Sequence, residues 1–184
     1  MPIISKKRFY EHVNPLCRLH SDYALLILCM DLTTWIPGSQ IEDPRTPNYL
    51  AAKRYYLELE ISGLLSIQAL QSGILIAVFE FGHAIYPSAL HSVASCISYG
   101  SSLGLDWRTA SSSGSTQSWL DTEEKIRIFW AIVLLDRYTL LFTTIVRTQI
   151  SCGSQNTPLQ CVEFQKKPCS CYTRGQILSV FGSN

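Results

Sequence analysis

The sequence predicts an all-α protein, an irregular multi-helix bundle of about six helices with a disordered or irregular C-terminal tail. Apolar residues recur at three- and four-residue steps along most of the chain, which is the spacing of one helix face. No segment sustains the alternation of apolar and polar residues that a half-buried strand requires. Prolines and glycines divide the chain into segments of helical length, and 184 residues are enough to bury one core.

Composition and charge restrict the class of function. The chain has 15 Lys plus Arg against 14 Asp plus Glu, a formal net charge of +1, and only 16% charged residues. Binding to a phosphate backbone depends on clustered basic charge, so we expect no direct nucleic-acid binding by this chain. We identify no secretory signal and no N-glycosylation sequon, and the cysteine count of seven is odd. These features predict a reducing, intracellular compartment.

The first two helices are predicted from their ends. A short helix is predicted over 7–13 and stopped by Pro15, because the residue before a proline is pushed out of the helical region. A second helix is predicted over 21–35, with Ser21 or Asp22 as its cap. Because this segment is apolar on nearly every side, we expect it to be central in the fold.

The next two helices have clear start signals. Thr46 followed by Pro47 is typical of an N-cap with proline at the first helical position, so a third helix is predicted there, and Gly63 ends it. A fourth helix is predicted from about Ser66, with apolar residues at helical steps over 67–81. This spacing favours one face packed against the core.

Two more helices complete the predicted bundle. The fifth begins at Tyr86, and Gly104 lies where a left-handed C-cap is expected. The sixth begins at Asp121 as a capping residue, with the acidic Glu124 three residues later. Residues 126–135 then place apolar side chains on all sides of the helix. Such a helix belongs in the interior of a protein.

The sixth helix carries side chains whose burial can be predicted. We expect Trp130 to be largely buried, so that its truncation to alanine costs about 3 to 5 kcal/mol. On the helical wheel Arg137 falls beside Trp130. An unpaired buried charge is very costly, so we expect Asp136 and Arg137 to be hydrogen-bonded structural residues rather than free catalytic groups.

One segment matches a catalytic motif. Residues 100–104 read Gly-Ser-Ser-Leu-Gly and fit G-x-S-x-G, the turn that presents the nucleophile of some hydrolases. That motif needs a preceding strand and a histidine after the serine. All four histidines precede Ser102, namely His12, His20, His83 and His91. We therefore interpret the motif as a helix end and predict no catalytic residue.

Histidines and cysteines raise the question of a metal site. His83 and His91 are eight residues apart with a proline between them, so one helix face does not bring them together. Four cysteines lie near the end of the chain without the paired Cys-x-x-Cys spacing of zinc knuckles, namely Cys152, Cys161, Cys169 and Cys171. We predict no metal ligands among these residues.

Aromatic residues provide a possible ligand pocket. Four of them could line an apolar effector site, namely Tyr49, Tyr55, Tyr56 and Trp130. Aromatic residues at helical spacing are more often part of the core, and we favour that interpretation. Cofactor-binding residues therefore stay unassigned.

One apolar segment raises the alternative of a membrane span. Residues 61–79 carry no formal charge and approach the roughly 20 residues that cross a bilayer. Serine and glutamine side chains interrupt the segment, and glutamates rather than basic residues flank it. A buried helix in a bundle is the interpretation we favour, and a small helical membrane-associated protein is the alternative function.

Several segments occur in an order that resembles a known family. They are an aromatic-rich stretch over 49–57, Ser66-Ile67-Gln68-Ala69-Leu70, Leu103-Gly104-Leu105, Glu124 to Trp130, and Leu134-Leu135-Asp136-Arg137. With an early apolar helix over 26–32, this set resembles the fungal-specific transcription factor domain, the regulatory middle region of fungal zinc binuclear cluster transcription factors. The resemblance covers about residues 8 to 138. Two features depart from the family: Ile126-Arg127 replaces paired arginines, and no Gly-Arg-Pro turn follows Arg137.

The resemblance implies transcription regulation in the nucleus, without enzymatic activity. Zinc and DNA binding belong to the DNA-binding module of full-length relatives, and no two Cys-x-x-Cys pairs match that module here. We therefore expect a fragment or short form that lacks the DNA-binding module and holds no cofactor. The expected partners are other transcription-regulatory protein segments, while self-association and an unidentified small-molecule effector stay open.

The family resemblance and the change in composition near residue 147 together predict two regions. Residues 1–146 are expected to form a partial helical transcription-factor regulatory domain. Residues 147–184 are rich in Ser, Thr, Gln, Gly, Pro and Cys, with apolar patches too small to bury a core. Such sequence does not offset the cost of ordering the backbone, so we predict a low-order tail.

Overall fold

The computed structural model describes residues 3–12, 20–36, 43–105 and 119–153. Within these ranges the chain forms helices and no strand, which confirms the predicted all-α class. The helices are α1 (Lys6–His12), α2 (Ser21–Thr34), α3 (Pro47–Ile61), α4 (Ile67–Gly82), α5 (Tyr86–Ser102) and α6 (Trp119–Gly153). Helix α6 therefore continues beyond residue 146, and residues 154–184 of the predicted tail lie outside the described residues.

Two of the predicted helix starts are capped as expected. The Thr46 hydroxyl accepts a hydrogen bond from the Tyr49 amide at 3.2 Å, with proline at the first position of α3. The Ser66 hydroxyl accepts one from the Ala69 amide at 3.0 Å. Each hydroxyl satisfies an amide that has no partner inside its own helix.

The predicted cap of α2 is wrong. The N-cap residue is His20, whose side chain makes no capping hydrogen bond. Ser21 is already the first helical residue, and the buried Asp22 carboxylate accepts from the Tyr23 amide at 2.9 Å. The acidic side chain still lies in the first turn, where the helix dipole favours a negative charge.

The end of α5 explains the Gly-Ser-Ser-Leu-Gly sequence. Gly104 has φ +66°, in the left-handed region that favours glycine. The Leu105 amide donates to the Gly100 carbonyl at 3.0 Å, and the Gly104 amide donates to the Ser101 carbonyl at 3.0 Å. This is the pair of hydrogen bonds of a Schellman helix end, so the predicted C-cap is confirmed.

Helix α4 lies at the centre of the bundle. It packs against α2, α3, α5 and α6, and Leu70, Ile74 and Ile76 are fully buried. At Gly73 the ring of Tyr56 lies so close that an added Cβ would be 2.7 Å from the Tyr56 hydroxyl oxygen. A glycine at this position lets α3 approach α4.

A turn divides the apolar segment 61–79 that raised the membrane alternative. Helix α3 ends at Ile61, Gly63 follows with φ +70°, and α4 begins at Ile67. Over the part of the chain that the structure describes, none of the helices has both the length and the apolar character to cross a membrane.

Over its described residues, helix α6 packs only one of its faces against the core, so the prediction that it is an interior helix is wrong. Its buried apolar residues are Ile128, Ala131, Ile132 and Leu135, at the three- and four-residue steps of one face. Trp130 is 53% exposed, so the prediction that it is largely buried is wrong. The apolar surface surrounds the helix, but within the described chain its neighbours are α4 and α5 and, at its start, the N-terminal segment.

The prediction for Asp136 and Arg137 is also wrong. The Arg137 side chain is 71% exposed, and its Nε lies 4.0 Å from the Asp136 carboxylate, beyond hydrogen-bond distance. Arg137 shares the exposed side of α6 with Trp130, so solvent hydrates its charge and no buried partner is required.

Candidate functional site

Among the described residues, those considered for catalysis or metal binding do not come together. Ser102 is exposed and its hydroxyl donates to the Ser98 carbonyl at 3.0 Å, an ordinary contact within a helix. The Nδ1 atom of His83 lies 2.8 Å from the carbonyl oxygen of Phe79, whereas the His91 side chain is exposed. Among the described residues, no group of three or more His, Cys, Asp or Glu side chains could hold a metal ion.

The described cysteines belong to the core. Cys29 and Cys96 are free thiols with no exposed surface. Burial raises the pKa of each thiol to about 12, so both are protonated and unreactive near neutral pH. Four cysteines lie near the end of the chain. Three of them, Cys161, Cys169 and Cys171, lie outside the described residues, and so does the side chain of Cys152.

The four candidate aromatic residues separate into core and surface. Tyr49 and Tyr56 are 3% exposed, Tyr55 is half-buried, and Trp130 is exposed. Tyr49 stacks on Phe79 with ring centroids 5.6 Å apart. A cleft of about 360 Å³ lies between the end of α2 and the start of α3, and none of the four lines it. The aromatic residues therefore do not form a common pocket.

A buried carboxylate joins α3, α4 and α5. Glu80 has no exposed surface and accepts hydrogen bonds from the Tyr49 hydroxyl at 2.7 Å and from Lys53 Nζ at 3.0 Å. Its second oxygen accepts from the Ser92 hydroxyl. Burial raises the pKa of Tyr49 to about 12, with a further contribution from the nearby carboxylate. Every oxygen of Glu80 thus has a partner, which is the condition for keeping a charge in the core.

A second network attaches the N-terminal segment to α6. Glu124 is 6% exposed and binds Arg8 Nη1 at 2.8 Å and the Ser5 amide at 3.2 Å. Arg8 also contacts Asp121 at 2.8 Å. The buried Gln71 side chain donates to Glu124 at 2.8 Å and to the Ile3 carbonyl at 2.7 Å. This network holds α1 and the residues just before it against the first turns of α6 and α4.

Sequence reasoning missed both networks. It assigned Glu124 to a helix start, which uses only local spacing, and it read Glu80 as the flank of an apolar segment. A single charged residue inside an apolar helix is the available signal, because such a residue requires a partner from another element. Spacing along the chain does not identify that partner.

A continuous apolar surface remains exposed on α6. We call it the α6 face and define it by Trp130, Leu134, Arg137, Leu140 and Leu141, which are between 48% and 71% exposed. Trp130, Leu134, Arg137 and Leu141 follow one another at steps of four, three and four residues. That is the 3.5-residue period of a helix seam that receives another helix. This pattern suits the α6 face to binding another helix.

Comparison with known proteins identifies a relative. No protein-family model matches the chain, and no solved structure matches it. The chain is 41% identical over 131 residues to Transcription factor BOA15 of Botryotinia fuckeliana (strain B05.10). The alignment covers 69% of this chain and 72% of the relative. The chain therefore belongs to the family of fungal proteins represented by Transcription factor BOA15.

Proposed function

We propose that this protein regulates transcription in the nucleus, as the helical regulatory domain of a fungal regulator of the zinc-cluster type. The observation that carries the proposal is the 41% identity over 131 residues to a protein named as a transcription factor. The ordered motifs that resemble the fungal-specific transcription factor domain support the finer assignment.

The proposal gives the chain a role in contact rather than in chemistry. The buried polar groups around Glu80 and Glu124 hold helices to one another, and their geometry is that of structural ion pairs. Ser102 has the setting of a helix end. We propose no enzymatic reaction for this domain.

In this proposal DNA recognition and zinc belong to a separate module. The net charge of +1 provides little attraction to a phosphate backbone, and no two Cys-x-x-Cys pairs are present in the sequence. The helical domain would act on other transcription-regulatory protein segments. Its contact surface would be the α6 face, where large apolar side chains meet solvent.

Tethering tests the regulatory role directly. The full chain would be fused to an unrelated DNA-binding domain in yeast, and transcription of a reporter with the matching site would be measured. We expect the fusion to change reporter output and Leu134→Glu to abolish the change. Leu57→Glu on α3 is the matched control, because Leu57 is 46% and Leu134 is 51% exposed. A fusion that leaves the reporter at its basal level would contradict the proposal.

Binding to DNA provides the complementary measurement. Specific protein–DNA complexes have dissociation constants of roughly 10⁻⁸ to 10⁻¹¹ M at physiological salt. We expect the isolated chain to show no such sequence-specific binding in a selection from random duplexes. Recovery of an enriched sequence motif would mean that this chain carries its own DNA-binding surface.

A further inference from the structure

We infer that the α6 face is the surface on which two copies of this chain pair, with α6 of one copy antiparallel to α6 of the other. The inference rests on the proposed function only in taking the domain to act through protein contacts. It adds an occupant for the contact surface, namely a second copy of the same chain.

The first argument is the length of α6. Helix α6 has 35 residues, whereas α4 and α5, which it packs against, have 16 and 17. At 1.5 Å per residue, α6 extends over roughly 50 Å, about twice the length of either neighbour. One side of its residues 128–135 is buried, and the α6 face lies on the other side. A helix this long gains most of its stability from packing, so a second packed face would stabilise it.

The second argument is the pattern of the α6 face. The seam runs from Trp130 through Leu134 and Arg137 to Leu141. Parallel pairing in register would place Arg137 against Arg137 of the second copy, and like charges facing each other in a seam are unfavourable. Antiparallel pairing places Trp130 opposite Leu141 and Leu134 opposite the aliphatic stem of Arg137. The face is therefore complementary to itself in one of the two directions.

The third argument concerns the area that pairing would bury and the charge of the two copies. The side chains of the α6 face expose on the order of 600 Å² per copy, so pairing that covers all of them would bury at most roughly 1,200 Å², close to the approximately 1,000 Å² expected of a specific interface. The chain has a net charge of +1, so two copies repel each other little. The Asp136 carboxylate, 4.0 Å from Arg137 Nε, partly balances the charge that pairing would bring into the seam.

Sedimentation velocity of the full chain tests the pairing without any transcription assay. We expect the mass to rise from one copy to two, and no further, as the concentration increases from about 1 μM to about 100 μM. Leu134→Glu should raise the concentration needed for pairing at least tenfold, whereas the matched control Leu57→Glu on α3 should leave it unchanged. Both residues are about half exposed, so neither substitution removes a core side chain.

Mixing experiments test the direction of the helices. Arg137→Glu mixed with the wild-type chain should pair statistically if the helices are antiparallel. Preferential mixed pairing would place the two 137 positions face to face and overturn the antiparallel arrangement.

Two results would overturn the proposal itself. One is a wild-type chain that stays a monomer at every concentration. If Leu134→Glu then also lowers the stability of that monomer, residues of the same chain cover the α6 face. The other is equal weakening by Leu134→Glu and Leu57→Glu, which would indicate unspecific association. Sedimentation measures mass and not transcription. A chain that does not pair would therefore leave the result of the reporter test unaffected, and an inactive fusion would leave the evidence for pairing unaffected.

Discussion

At the scale of single residues, the fold depends on buried charged side chains such as Glu80, whose two carboxylate oxygens both have hydrogen-bond partners. Glu80 lies in the most apolar helix of the bundle and has no exposed surface, yet three side chains from α3 and α5 donate to it. The desolvation cost of this carboxylate is offset only while those donors are in place. The residue therefore fixes how α3, α4 and α5 are arranged around it.

Removal of the Glu80 carboxylate tests this role. Glu80→Ala should lower the free energy of unfolding by about 3 kcal/mol, because Lys53 and the Tyr49 hydroxyl lose their buried acceptor. Urea denaturation gives the value. Glu58→Ala, which removes an exposed carboxylate from α3, should change stability by less than about 0.5 kcal/mol. A loss below about 1 kcal/mol for Glu80→Ala would mean that the cluster contributes little.

Two glycines of α4 offer a matched pair of substitutions. Helix propensity alone favours alanine over glycine by about 1 kcal/mol. At Gly73 an added Cβ would lie 2.7 to 2.9 Å from three atoms of the Tyr56 ring and hydroxyl, whereas at Gly82 nothing lies within 4 Å. Tyr56 is 3% exposed, so its ring is surrounded by other parts of the protein.

We therefore expect opposite signs for the two substitutions. Gly73→Ala should destabilise the protein by about 1 to 3 kcal/mol, and Gly82→Ala should be neutral or stabilising by up to about 1 kcal/mol. Thermal unfolding of the two variants and the wild type decides the point. Equal effects at both positions would show that α3 moves away from α4 at little cost.

At the scale of elements, the rotation of α6 about its own axis decides which side chains carry stability. Ile128 has no exposed surface, and Trp130 is 53% exposed two residues later. Both are large apolar residues of one uninterrupted apolar segment. The orientation of the helix, rather than the hydrophobicity of each residue, separates a core position from a surface position.

Alanine substitutions on α6 measure this rotation. Ile128→Ala should cost about 2 to 5 kcal/mol, since it leaves a cavity beside α4 and α5. Trp130→Ala should cost less than about 1.5 kcal/mol in the monomer, because half of the side chain already contacts water. Denaturant titrations give the free energy of unfolding of each variant. A low protein concentration keeps the chains monomeric, so pairing of two copies does not affect the values. A larger loss at Trp130 than at Ile128 would reverse the assigned orientation.

At the scale of the whole molecule, buried acidic groups make stability depend on alkaline pH. Burial raises the pKa of the Cys29 and Cys96 thiols to about 12, whereas a thiol of the unfolded chain titrates near about 8.5. Between these values the native state keeps protons that the unfolded chain releases. The free energy of unfolding therefore falls as pH rises, and the full contribution is present only below the pKa of the unfolded thiol.

Urea unfolding across this range gives the test. The expected slope is about 1.4 kcal/mol per pH unit for each thiol above about pH 9. Measurements up to about pH 9.5 stay below the midpoint of the unfolded tyrosines, which is near about pH 10. Cys96→Ala should remove about half of the slope, measured relative to the variant's own stability at neutral pH. A stability that is flat up to about pH 9.5 would show that the thiols are reached by water in the folded state.

The helical class, the starts of α3 and α4, and the end of α5 follow from the amino-acid sequence alone. These features are local: Thr46 and Ser66 each accept from an amide three residues ahead, and Gly104 adopts its own backbone conformation. Local spacing is visible in a sequence, and so is the order of motifs that resembles a fungal regulatory domain. The separation of segment 61–79 by a turn at Gly63 belongs to the same class of information.

Contacts between residues that are distant in the chain depend on how the helices pack together. Arg8 and Glu124 are separated by 116 residues and Tyr49 and Glu80 by 31, and no periodicity links them. The orientation of α6, and with it the exposure of Trp130 and Arg137, was likewise undetermined, because an apolar surface all round a helix allows several faces to pack. The neighbours supplied by α4 and α5 select one face and leave the other, the α6 face, available to a partner.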